Sequence, residues 1–76
     1  MDIRQYYEEV EALVGDLRGL NRSDVADRVD DALRSGSTSG EVLGELSLTL
    51  PTVADTVPAV AERSGSLAEW ARQALA

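Results

Sequence analysis

The sequence predicts a single all-α domain, folded as a compact bundle of four to five short helices over residues 1–76. Apolar residues recur at spacings of three and four along most of the chain, which is the period of an amphipathic helix. Residues that favour helix N-termini precede these runs, and Gly or Pro separates them. Seventy-six residues are enough for one domain, and neither an internal repeat nor an interdomain linker divides them.

The first helix is expected to begin after Asp2, because an aspartate is a good N-cap. It is expected to end near Gly19 in the left-handed conformation, with Leu20 packing back on the last turn. The apolar positions form one stripe: Ile3, Tyr6, Tyr7, Val10, Leu13, Val14, Leu17 and Leu20.

A second helix is expected after Asn21 or Ser23 as its N-cap, and Gly36 is expected to close it. One face carries its apolar residues: Val25, Ala26, Val29, Ala32 and Leu33.

A Ser/Gly-rich loop over residues 35–40 should lead into a third helix that begins near Ser39. Thr38 and Glu41 have the spacing of a capping box, in which each side chain accepts a backbone N–H of the other residue. Apolar residues in the segment Leu46–Leu50 also alternate as they would in a strand. We favour the helix, because an isolated strand would have no partner for its backbone hydrogen bonds.

Pro51 predicts a break near Leu50, since proline suits the first turn of a helix and disfavours helical angles in the preceding residue. A short, irregular fourth element should follow through residues 51–61. Pro58 either kinks this element or starts a new turn.

The last helix is expected to run to the C-terminus from a second capping box. Ser64-Gly65 should end the fourth element, and Ser66 with Glu69 should form this box.

The composition restricts the possible functions. Fourteen acidic residues against seven arginines give a net charge of −7, which disfavours binding to nucleic acids and anionic lipids and favours a basic protein partner. The chain lacks His, Cys and Lys, so it lacks the usual general base, thiolate nucleophile, metal ligands and phosphate-loop lysine. We therefore expect a protein that is not an enzyme and takes no cofactor or metal.

The chain is expected to be cytoplasmic and to make no contact with membranes. It has no cysteine for disulfides, and its N-terminus is charged from the second residue without an apolar signal region. The longest stretch without a charge, residues 46–54, is much shorter than the roughly 20 residues of a membrane-spanning helix.

Asp24, Asp27 and Asp31 should share one side of the second helix, since they lie at i, i+3 and i+7. A calcium site is disfavoured, because the spacing is not that of a calcium-binding loop. The residues form either a docking surface for a basic partner or a solvated face with two ion pairs, Asp24–Arg28 and Asp30–Arg34.

Four further residues are candidates for partner contacts. Tyr6 and Tyr7 are adjacent on a helix, so one of them should be partly exposed. Trp70 lies on the apolar side of its helix and is either a core anchor or a contact residue. Leu48 should point roughly opposite to Leu46, which would leave it exposed.

The chain resembles acyl carrier proteins in its length, acidity and expected helical bundle. That resemblance would imply a carrier function with a phosphopantetheine arm on the serine of an Asp-Ser-Leu turn before the second helix. This sequence contains no Asp-Ser-Leu. Its nearest match, Gly65-Ser66-Leu67, precedes the last predicted helix, where Ser66 is better explained as a cap.

Two hypotheses follow. The first is a small protein-binding module, such as an inhibitor, antitoxin or immunity-type protein that neutralises a basic partner. The second is a self-associating structural protein, in which Tyr6, Tyr7, Leu48 and Trp70 complete the core across a homodimer.

Overall fold

Four α-helices and one 3₁₀ turn make up the computed structural model, which describes all 76 residues and contains no strand. The all-α prediction is confirmed, as is the helical conformation of residues 46–50. The helices and the turn are α1 (Ile3–Gly19), α2 (Ser23–Leu33), α3 (Ser39–Thr56), the 3₁₀ turn (Pro58–Val60) and α4 (Ala61–Leu75). None of the helices combines the length and the apolar character that crossing a bilayer requires.

α1 begins with the predicted aspartate cap. The Asp2 carboxylate accepts a hydrogen bond from the backbone N–H of Gln5 (2.9 Å), and the Gln5 side chain accepts one from the backbone N–H of Asp2 (3.0 Å). Two of the backbone donors that a helix start leaves without partners are thereby satisfied.

The end of α1 differs from the prediction in the residue that takes the left-handed conformation. Gly19 remains helical, and Asn21 has the positive φ of 62°. The N–H of Asn21 donates to the carbonyl of Arg18 (3.0 Å), and that of Arg22 donates to Leu17 (2.9 Å). This pair of bonds is a Schellman motif, which accepts asparagine as well as glycine at its left-handed position.

The start of α2 also differs from the prediction. Because Asn21 ends α1, it does not cap α2; Arg22 occupies the cap position without a side-chain hydrogen bond, and Ser23 is already helical. Leu20 was expected to pack back on α1, but it lies in the turn between the helices and is exposed. α2 ends at Leu33, before Gly36.

α3 begins at Ser39, as predicted, with half of the expected capping box. The Thr38 hydroxyl accepts from the backbone N–H of Glu41 (3.3 Å). The Glu41 carboxylate accepts from the Thr38 hydroxyl (3.1 Å) and not from its backbone. A Cβ on Gly36 would overlap the Cβ of Glu41, so the chain needs glycine there to approach α3 this closely.

The predicted break at Leu50 is wrong, because α3 continues through Pro51 to Thr56. An interior proline costs about 3 kcal/mol in a helix, since it removes one backbone hydrogen bond and crowds the preceding turn. Leu50 and Val53, on either side of Pro51, are both fully buried. Burying two such side chains stabilises the helix by about 3 to 6 kcal/mol, which offsets the cost of the proline.

Pro58 starts a new turn, which is one of the two predicted alternatives. The 3₁₀ turn leads directly into α4 at Ala61. The predicted end of a helix at Ser64-Gly65 is wrong, as is the second capping box, because α4 runs through both without interruption. Ser64 is fully buried in the core-facing side of α4, so helix packing overrides the loop-like composition.

Nineteen buried apolar residues form one core, and they come from all four helices, the 3₁₀ turn and Val57, which lies between α3 and that turn. α3 packs most extensively on α4, whereas the backbones of α1 and α4 approach each other much less extensively. The face of α4 toward the core carries small side chains at Ser64, Ala68 and Ala71, which are all buried. Small residues allow two helices to approach closely, so this face explains the extent of the α3–α4 contact.

Two glycines should respond in opposite ways to alanine. Gly36→Ala is expected to lower the free energy of unfolding by about 1 to 3 kcal/mol, because the new Cβ overlaps Glu41. Gly15→Ala should raise it by about 0.5 to 1 kcal/mol, since Gly15 is helical and has free space around it. Urea unfolding followed by circular dichroism measures both. Equal effects of the two substitutions would contradict the close approach at Gly36.

Ser64→Ala should stabilise the fold. The Ser64 hydroxyl is buried and has no hydrogen-bond partner, so its removal is expected to raise the free energy of unfolding by about 1 kcal/mol or more. Ser66→Ala is the matched control on the same helix, because Ser66 is exposed and only its helix propensity changes. A loss of stability in Ser64→Ala would show that the hydroxyl has a partner in the folded protein.

Candidate functional site

Six ion pairs use six of the seven arginines, so only Arg28 lacks an acidic partner. Two of these pairs join helices: Arg18 of α1 contacts Asp27 of α2 (3.0 Å), and Arg63 of α4 contacts Asp16 of α1. The other four pairs are local: Arg4–Glu8, Arg22–Asp24, Arg34–Asp30 and Arg72–Glu69. The cations of this chain are therefore mostly engaged within the fold.

Most of the acidic side chains, unlike the arginines, have no partner of opposite charge. Six of the fourteen take part in the ion pairs, which leaves eight carboxylates without a cationic partner. All eight are exposed: Asp2, Glu9, Glu11, Asp31, Glu41, Glu45, Asp55 and Glu62. The net charge of −7 thus lies on the outer surface as free carboxylates with one free guanidinium.

The acidic face of α2 is partly neutralised within the chain. Asp24, Asp27 and Asp31 are exposed, but Arg22 pairs with Asp24, and Arg18 pairs with Asp27. The hydrogen bond from Arg22 lowers the pKa of Asp24. Only Asp31 remains free, and no three acidic residues of the chain come close enough together to hold a metal ion.

Of the two ion pairs predicted on α2, one is present. Arg34 contacts Asp30 at 3.2 Å, in the expected i, i+4 arrangement. The predicted Asp24–Arg28 pair is absent, because Asp24 pairs with Arg22 in the turn before the helix.

The aromatic residues lie mainly in the core. Tyr6 is fully buried, its hydroxyl donates to the carbonyl of Leu67 (2.8 Å), and its ring stacks on Trp70 with 4.4 Å between centroids. Tyr6 therefore offers no surface to a partner, contrary to its place among the predicted contact residues. Trp70 is half-buried and packs against the core as an anchor. Tyr7 is half-buried, so the prediction that one tyrosine is partly exposed is confirmed.

Two surface grooves lie beside α1. The larger encloses about 740 Å³ between α1, the 3₁₀ turn and α4, with the free carboxylates Glu9 and Glu62 and the paired Arg63 on its walls. The smaller encloses about 360 Å³ between α1, the end of α2 and the start of α3, and Tyr7 and Glu11 line it. Neither groove contains Asp24, Asp27, Asp31, Leu48 or Trp70.

Leu48 lies in the middle of α3 with 71% of its surface exposed. The predicted outward direction of this side chain is confirmed, since Leu46 is fully buried on the opposite side.

Comparison with protein-family models, curated proteins and solved structures finds no match to this chain.

The fold also groups acidic surface residues that were not among the predicted contact residues. Glu9 and Glu62 come from distant parts of the chain and meet only in the folded groove. Glu41, Glu45 and Asp55 share the outer side of α3 with Leu48. Their helical spacing at positions i, i+4, i+7 and i+14, and the absence of arginine between residues 35 and 62, could have indicated this group in the sequence.

The buried Tyr6 hydroxyl should make stability pH-dependent at high pH. Burial, and to a smaller extent the neighbouring Tyr7, raises the pKa of Tyr6 from about 10 to about 12. The folded state therefore keeps this proton where the unfolded chain has lost it. The stability from this group is complete below pH 10 and is lost as the pH rises toward 12.

Tyr6→Phe should remove this high-pH loss. It is also expected to lower the free energy of unfolding at neutral pH by about 1 kcal/mol, because the hydrogen bond to Leu67 is missing. Urea unfolding at several alkaline pH values measures both effects. Tyr7→Phe serves as the control and should keep most of the alkaline loss of stability, because burial is the larger cause of the raised pKa of Tyr6. An unchanged alkaline dependence in Tyr6→Phe would contradict the role assigned to Tyr6.

Proposed function

We propose that this protein is a protein-binding module of the inhibitor, antitoxin or immunity type, and that its anionic surface binds a basic protein partner. The observation that carries the proposal is the distribution of charge. Ion pairs within the fold engage six arginines, whereas eight exposed carboxylates have no cationic partner.

Such a surface favours association with a positively charged protein. Uncompensated charges of one sign attract an oppositely charged partner over distances of about 10 Å at moderate salt and raise the association rate. They also disfavour acidic competitors, which gives selectivity by charge. Nucleic acids and anionic lipids carry the wrong sign, so the proposed partner is a protein.

We also propose that the protein acts by binding and not by catalysis. The chain carries no histidine, cysteine or lysine, and no three of its acidic residues lie close enough together to hold a metal ion. Ser66, the residue nearest to a carrier-protein serine, lies inside α4 and not in a turn before a helix. This position does not support a carrier function.

The test is capture of proteins from a lysate of the native host. The immobilised protein should retain a discrete basic protein at about 50 mM salt and release it at about 500 mM, because salt screens the attraction. The matched control is a variant in which every free carboxylate except Asp2, the α1 cap, becomes the corresponding amide. This variant keeps all six ion pairs and should retain much less of the same protein.

Two results would contradict the proposed function. One is equal retention of the same proteins by the wild type and the amide variant. The other is that the immobilised wild type retains no protein in a larger amount than an unrelated immobilised protein of similar charge does.

A further inference from the structure

The outer side of α3 carries a row of five exposed residues. They lie at i, i+4, i+7, i+11 and i+14 and therefore share one side of the helix. At 1.5 Å per residue the row is about 21 Å long. We call it the α3 ridge, and its members are Glu41, Glu45, Leu48, Thr52 and Asp55.

Leu48 at the centre of the α3 ridge has no partner in this chain. The other large apolar side chains that are exposed, Met1, Leu20 and Leu75, lie at the ends of the chain or of a helix. Leu48 is more exposed than any of them, and more than two helical turns of α3 extend on either side of it. Leu48 thus lies in the interior of α3 and not at a helix end, where fraying is common.

The acidic residues of the α3 ridge are not neutralised. The sequence contains no arginine between residues 35 and 62, and Glu41, Glu45 and Asp55 take part in no ion pair. The acidic face of α2 differs in this respect, because arginines pair with Asp24 and Asp27. The larger groove differs as well, since Arg63 lies on its wall.

A second copy of this chain does not fit the α3 ridge. In an antiparallel two-fold contact centred on Leu48, Glu41 of one copy would face Asp55 of the other, seven residues from the centre on each side. In a parallel contact, each carboxylate would face its own equivalent. Either arrangement sets like charges against each other around a single pair of leucines, which opposes association.

We propose that the α3 ridge is the docking surface for a basic, amphipathic segment of the protein partner. An apolar residue of this segment covers Leu48, and Lys or Arg side chains on both sides pair with Glu41, Glu45 and Asp55. When one amphipathic helix packs along another, charged pairs flank the apolar contact in the same way. The inference rests on the proposed function, since it states where a basic partner binds.

The test uses a synthetic peptide as a probe of this chemistry. The peptide has about 18 residues of Lys and Leu with the leucines on one helical face, so that it spans the α3 ridge. Titration of the ¹⁵N-labelled protein should shift the amide resonances of Glu45, Leu48 and Thr52 most strongly. A peptide of the same composition with dispersed leucines should bind at least about tenfold more weakly.

Substitutions separate the α3 ridge from the rest of the acidic surface. Leu48→Gln should weaken peptide binding about tenfold, and it leaves the fold intact because Leu48 contacts solvent. The triple variant Glu41→Gln, Glu45→Gln and Asp55→Asn should weaken binding at least tenfold and reduce its salt dependence. The matched control, Glu9→Gln with Glu11→Gln and Glu62→Gln, changes the net charge equally and should weaken binding less than about threefold. Thermal unfolding of each variant confirms that it remains folded.

Each contrary result overturns this assignment in a distinguishable way. Equal weakening by both triple variants, or the largest shifts beside Glu9 and Glu62, would place the basic segment elsewhere on the surface. The proposed function would then remain. Absence of peptide binding would overturn the docking surface, and the capture experiment would decide the proposed function separately. A dimer in sedimentation analysis that Leu48→Gln dissociates would assign the α3 ridge to a second copy.

Discussion

The contact of Tyr6 with α4 closes the helical bundle. Neighbouring helices pack in chain order, from α1 on α2 to α3 on α4, and the backbones of α1 and α4 approach each other over only a short region. Within that region the Tyr6 ring stacks on Trp70, and its buried hydroxyl donates to the carbonyl of Leu67. A chain of this length buries a small core, so a contact that joins its first and last helices stabilises all four helices together.

The ion pairs within and between the helices determine which charges remain free on the surface. Arg18 and Arg63 hold α2 and α4 to α1 through Asp27 and Asp16, and the local pairs engage four more arginines. Exposed ion pairs of this kind contribute about 1 kcal/mol or less each to stability. Their larger consequence is for the surface charge, because they leave the free charges of the protein almost entirely negative. Because six of its seven arginines pair within the fold, the protein presents mainly free carboxylates on its surface.

The sequence predicted the parts of the fold that depend on local chemistry and helical period. The cap at Asp2 and the exposed direction of Leu48 follow from residue type and spacing, and both are confirmed. The predicted breaks at Pro51 and at Ser64-Gly65 failed, because the packing of α3 on α4 buries the adjoining residues and overrides local propensity. The larger groove could not be predicted, since it joins residues that are distant in the sequence.

The chain completes its own core and leaves the outer side of α3 free of contacts within the fold. A nuclear Overhauser experiment on a mixture of isotope-labelled and unlabelled protein tests it most directly. The account predicts cross-peaks between the Tyr6 and Trp70 rings within one molecule, and none from the Leu48 methyl groups to residues outside α3. Intermolecular cross-peaks from Leu48, or the absence of those between the two rings, would contradict it.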